Sequence, residues 1–186
     1  LHVCLPSPHP PYFVPSPYSE QVDPDTAELH PMDLEALMTE RTRAVAFTHC
    51  SNVVGSINPV REITDLVHGA GAIAIVDGVS FAPHGLPDIP ELGADVYFFS
   101  LYKVYGPHMA VLWGRHEAVA DITGPNHFFI PKDEVPYKLE LGGVPHESCA
   151  GWLAVGDYLA FLAGRDTVGV VAFQVMKAFL DGFVLC

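Results

Sequence analysis

The stretch RAVAFTHCSNVVGSINPVREITDLVHGAGAIAIVDG, residues 43–78, decides the fold. Arg43–His49 is an apolar run of strand length that ends on polar residues. Ser51–Asn58, with its Gly, Ser and Asn, reads as a loop. Pro59–His68 has helical periodicity, with Val60, Ile63, Leu66 and Val67 on one face. Gly69 and Gly71 are placed to end that helix. Ala72–Val76 is a second apolar run, closed by Asp77-Gly78. Strand, helix and strand with short connections imply an α/β fold, a mostly parallel sheet flanked by helices. In such sheets ligands bind beyond the carboxyl ends of the strands.

Working outward, the same alternation continues. Pro31–Glu40 reads as a short helix with Leu34, Leu37 and Met38 on one face and Pro31 in its first turn. Asp95–Ser100 is a further strand, followed by a turn through Gly106-Pro107 and a strand at Met109–Trp113. A helix contains Trp152–Phe161. Residues 1–20 differ: six prolines lie between Pro6 and Pro17, a composition that favours polyproline or irregular backbone. Three readings of this segment stand: a lead-in loop, a docking ligand, or sequence foreign to the domain. Residues 21–186 read as the domain itself.

Composition narrows the function. The 186 residues suffice for one domain with a core, and 49% hydrophobic residues exclude a disordered chain. A formal net charge of −13 argues against nucleic acid and anionic membrane surfaces as partners. The C-terminal run Val168–Cys186 is apolar, but Lys177 and Asp181 interrupt it, so no membrane span is expected. The N-terminus lacks a basic segment and reads as no signal peptide. Cys4, Cys50, Cys149 and Cys186 are scattered, which argues for free thiols in a reducing compartment, the cytoplasm. The ten histidines show no HxH or HExxH spacing, so no metal is expected.

Polar residues at strand ends carry the chemistry. His49, Asp77 and Lys103 each follow or close a predicted strand. Asp77 ends an apolar run, where a buried carboxylate needs a cationic partner; alternatively it caps the turn before Gly78. Lys103 lies in Phe98-Phe99-Ser100-Leu101-Tyr102-Lys103-Val104-Tyr105-Gly106-Pro107. It is either a desolvated, nucleophilic amine or a snorkelling surface lysine. Asn52 in the loop after the first strand and Ser100 after the third add donors. Together they match the demands of a phosphorylated pyridine aldehyde: an amine for its carbon, a carboxylate for its nitrogen, and donors for its oxygens.

Three separated motifs carry a family resemblance: His49-Cys50-Ser51-Asn52-Val53-Val54-Gly55-Ser56-Ile57-Asn58-Pro59-Val60, Val76-Asp77-Gly78-Val79-Ser80-Phe81-Ala82-Pro83-His84, and Ser100-Leu101-Tyr102-Lys103-Val104-Tyr105-Gly106-Pro107. In order and spacing the chain resembles the class V aminotransferases among the fold-type I pyridoxal 5′-phosphate (PLP) enzymes, and within them the cysteine desulfurase-like proteins. The resemblance runs from about Val22 to about Ala160. It implies a Schiff base on Lys103, which also shuttles protons. It further implies Asp77 at the pyridine nitrogen, Asn52 near the phenolic oxygen, Ser100 at the phosphate, and His84 near the site. An amino acid substrate and a homodimer are implied as well.

The departures from the family are specific. Ser80 stands where the family has a longer glutamine, and Tyr102 where it has a histidine before the lysine. Gly143, in Glu140-Leu141-Gly142-Gly143-Val144-Pro145-His146-Glu147, replaces a threonine that reaches the neighbouring subunit's cofactor phosphate. His146-Glu147 is similar to the desulfurase-like subgroup. Nothing in residues 1–20 matches the family's phosphate loop, and no cysteine matches the desulfurase nucleophile. The expectation is therefore the central part of a PLP-transferase large domain, without the C-terminal small domain. The alternative is a truncated, catalytically incompetent fragment that acts as a weak PLP-binding or interaction module.

Overall fold

In the computed structural model, residues 2–4, 23, 25–85, 87–124, 128–140, 142–162 and 183–185 are described. The proline-bearing part of residues 1–20 and most of Val168–Cys186 lie outside them. The chain divides into two compact units, Leu1–Tyr97 and Phe98–Cys186.

In the first unit the βαβ expectation holds. Strands β2 (Ala44–Thr48) and β3 (Ile73–Asp77) both alternate in burial. Val45, Phe47, Ala74 and Val76 are buried. The two pair in parallel, from Ala44 opposite Ile73 to Thr48 opposite Asp77. Helix α2 (Val60–Gly69) connects them and buries Val60, Ile63, Thr64 and Val67. Thr64 therefore takes the place expected of Leu66. Its hydroxyl is satisfied by the Arg61 and Leu92 carbonyls, at 2.9 and 2.8 Å, which removes the penalty of burying it. The helix runs through Gly69, and the chain turns at Gly71, whose φ of +71° suits glycine.

Two further helices belong to this unit. Helix α1 (Pro31–Leu37) has proline in its first turn and buries Leu34. Helix α3 (Ile89–Leu92) lies in the Pro- and Gly-rich connection that showed no periodicity. Asp88 caps it through the Glu91 amide, and Gly93 ends it in the left-handed region. The fully buried Asp95 accepts from the Ala74 amide at 2.7 Å and from His68 Nε2 at 2.9 Å, joining α2 to β3. At the N-terminus His2–Cys4 forms strand β1, antiparallel to β2, where the sequence suggested irregular backbone.

Strand β4 (Val96–Ser100) begins in the first unit and ends in the second. There a 3-10 turn, Leu101–Val104, leads through Tyr105 to β5 (Ala110–Gly114). Strand β5 pairs antiparallel with β6 (Phe183–Leu185), so the α/β sheet is mixed. Helix α4 (His116–Ala120) buries Val119. The 17-residue helix α5 (His146–Leu162) buries Val155 and leaves Leu153, Tyr158, Phe161 and Leu162 exposed. No helix among the described residues is long and apolar enough to cross a membrane.

Candidate functional site

Asn52, Asp77, Ser80 and His84 fall in the first unit. Asp77 is the last residue of β3, and its side chain is half-buried. Its Oδ1 accepts from the Val79 amide at 2.8 Å, so it does cap the turn after the strand. No hydrogen bond reaches its Oδ2 among the described residues, which leaves that oxygen for an outside cation. The turn-capping reading of Asp77 is thus met on one oxygen, and the other oxygen stays open.

Behind Asp77 lies a cluster that the strand pattern did not reveal. The His49 amide donates to the Asp77 carbonyl at 2.8 Å. The His49 ring is buried, stacked on Phe81 with centroids 3.7 Å apart and planes at 11°. Its Nδ1 lies 2.9 Å from the Tyr97 hydroxyl. Burial holds this imidazole down to about 4, so it is neutral near pH 7. Burial first, and then the neighbouring Asp77 and Cys50, push Tyr97 upward. Gly78 is obligatory here, because a Cβ would run into the Tyr97 ring and hydroxyl.

The loop after β2 separates two asparagines by role. Asn52 is exposed on a turn. Asn58 is buried, accepts from the Leu29 amide at 3.1 Å and donates to the Thr48 carbonyl at 2.8 Å. Sequence reasoning passed over Asn58 because a loop asparagine looks alike whether it is buried or not. Ser80 is half-buried and His84 exposed, both on the turns that follow Asp77. No hydrogen bond joins the side chains of Asn52, Asp77, Ser80 and His84 to one another among the described residues.

Ser100, Tyr102 and Lys103 fall in the second unit. Ser100 closes β4 and precedes the 3-10 turn without a side-chain cap bond. Lys103 is half-buried on that turn, and its ammonium has no hydrogen bond or ion pair among the described residues. The turn is held by Leu101 N–H to Met109 O and Gly106 N–H to Leu101 O, each 2.8 Å. Tyr105 takes a left-handed φ of +68° to make it. Tyr102 is half-exposed and stacks on His108 at 5.3 Å, a pairing that five intervening sequence positions concealed.

Among the described residues the lysine buried most completely is a different one. Lys138 is 1% exposed and donates to the Ala120 carbonyl at 2.7 Å. The polar look of its neighbours in sequence hid this. Gly143, by contrast, faces open space, and a side chain there meets nothing within 4 Å. No group of three metal-binding side chains is assembled among the described residues.

The residues present fit PLP by their chemistry. The uncapped oxygen of Asp77 suits a protonated ring nitrogen, and the unpartnered amine of Lys103 suits an aldehyde.

Comparison with known proteins identifies the family. The family model described as Aminotransferase class-V matches residues 22–163. An aminotransferase-like protein of Gibberella zeae is 48% identical over 126 residues, which cover 67% of this chain and 31% of that protein. A cysteine desulfurase-like protein of Aspergillus flavus is 39% identical over 156 residues, covering 83% and 34%. Among solved structures, a cysteine desulfurase of Escherichia coli superposes with a TM-score of 0.63 at 30% identity, over 70% of this chain and 35% of that one. The chain thus spans about a third of the length of each.

Proposed function

Because this chain belongs to the class V aminotransferase family, a family of PLP enzymes, we propose that it serves a PLP-dependent reaction on a small-molecule amino acid, with Lys103 as the covalent anchor. The observation that carries this reading is the half-buried Lys103 amine, free of polar partners among the described residues, on a turn braced at both ends. An amine without a competing carboxylate is available as a nucleophile and as a proton carrier.

Each residue then has a task. When bound, the cofactor supplies an electron-withdrawing ring that stabilises a carbanion at the substrate α-carbon. Asp77, oriented by the Val79 amide, keeps a proton on the ring nitrogen. Lys103 removes and returns the proton at the α-carbon. Asn52 and Ser80 donate toward the phenolic oxygen, and Ser100 and Tyr102 toward the phosphate. His84, exposed beyond Asp77, remains for proton transfer to or from the substrate. The relatives' names favour desulfurase-like or aminotransferase-like outcomes. The same reading takes a partial large domain and, as the working form, a cytoplasmic homodimer.

Borohydride reduction in the presence of PLP, followed by peptide mapping, tests the anchor. The adduct is expected on Lys103, and an adduct confined to Lys132, Lys138 or Lys177 refutes the assignment. A second reading is a module that binds PLP weakly without turnover. Labelling at Lys103 without any product from amino acids would select it.

A further inference from the structure

Tyr97 and His49 form a buried pair joined by a hydrogen bond. Tyr97 is fully buried, and among the described residues its hydroxyl has one polar partner, His49 Nδ1 at 2.9 Å. If Nδ1 carried the hydrogen, the Tyr97 O–H would have no acceptor among the described residues, an expensive loss at a buried site. With Tyr97 donating, Nδ1 accepts and the neutral imidazole carries its hydrogen on Nε2. The ring is clamped from another side by Phe81 at 3.7 Å.

This pair grips the Asp77-Gly78 turn at two points. The His49 amide holds the Asp77 carbonyl at 2.8 Å. The phenol end of Tyr97 fills the space where a Gly78 side chain would lie. We infer that Tyr97 and His49 are positioning residues for Asp77: the Tyr97-to-His49 hydrogen bond locks the wall against which the Asp77-Gly78 turn is set, and so determines where the free carboxylate oxygen faces. The inference rests on the reading of Asp77 as the partner of the cofactor's ring nitrogen.

The test is equilibrium binding of two probes to the 186-residue chain: PLP, and its carbocyclic analogue in which C–H replaces the ring nitrogen. Only PLP offers Asp77 a cation, so the wild type is expected to prefer it by roughly tenfold, the worth of a charge-assisted hydrogen bond. Tyr97→Phe is expected to abolish that preference while leaving the analogue's affinity unchanged. His49→Gln, which keeps an acceptor for Tyr97, is expected to retain it, and His49→Leu to lose it. The His49 pair decides the matter if Tyr97→Phe does not fold. Imidazole nitrogen-15 shifts give an independent readout, expected to show hydrogen on Nε2 near pH 7. A preference that survives in both Tyr97→Phe and His49→Leu, or hydrogen on Nδ1, overturns the inference and leaves Asp77's role standing. A wild type indifferent to the ring nitrogen removes that role, and the inference with it.

Discussion

Replacing Asn58 with alanine removes two hydrogen bonds at once. Its Oδ1 accepts from Leu29 N–H at 3.1 Å, and its Nδ2 donates to Thr48 O at 2.8 Å. Asn58 and Leu29 are 4% and 5% exposed, so water does not readily replace the lost partner. A buried backbone group left unsatisfied costs about 1–3 kcal/mol. The Leu29 amide is such a group and the half-buried Thr48 carbonyl a cheaper one, so the expected loss is about 2–4 kcal/mol, a large part of the ~5–15 kcal/mol that holds a typical domain together. In urea this moves the unfolding midpoint down by roughly 1–2 M. Asn52→Ala is the matched control, six positions away on an exposed turn, and is expected within about 0.5 kcal/mol of wild type. Asn58→Asp keeps an acceptor for Leu29 but sets a carboxylate against the Thr48 carbonyl, and is expected to fail as well. Asn58→Ala with wild-type stability, or Asn52→Ala falling equally far, would refute the division between a structural and an exposed asparagine.

Three other outcomes are expected. His49 is held down to about 4 by burial, against ~6.5 in an unfolded chain. The unfolded chain therefore takes up the proton first as pH falls. Stability from this group is whole above pH 6.5 and lost by about pH 4, a fall of about 3 kcal/mol that the difference between wild type and His49→Gln in pH-dependent urea melts isolates. Gly78→Ala drives a methyl into Tyr97 and should cost about 1–3 kcal/mol; Gly78→Ala with Tyr97→Leu should recover part of it, and no recovery removes Tyr97 as the cause. Lys138→Ala forfeits the bond to Ala120 and the packing of a buried stem, about 2–4 kcal/mol by thermal or urea unfolding.

The βαβ frame was legible because two apolar runs and one amphipathic helix carry different periods. It placed Asp77 and Lys103 within a residue or a short turn of the strand ends. What escaped depends on partners far along the chain. Thr64 replaces Leu66 on the buried face of α2 with help from the Leu92 carbonyl, 28 residues on, which receives its hydroxyl alongside the local Arg61 carbonyl. Helix α3 is four residues long, too short for any period to register. The burial of Asn58 depends on Leu29, and that of Lys138 on Ala120. His49 was legible as a polar strand-end residue, but its coupling to Tyr97 spans 48 positions. No local pattern announces such a pair.

The capped carboxylate of Asp77 also bears on when disorder is lost. A free aspartate samples several rotamers, and fixing a side chain costs a fraction of a kcal/mol to about 2 kcal/mol in entropy. The Val79 amide fixes Oδ1 as the chain folds, before any ligand arrives. The ordering of Asp77 is therefore charged to folding, and a cation meeting Oδ2 binds a rotor that has already stopped. A glutamate at 77 carries one more torsion between backbone and carboxylate. It keeps the charge but surrenders that advantage.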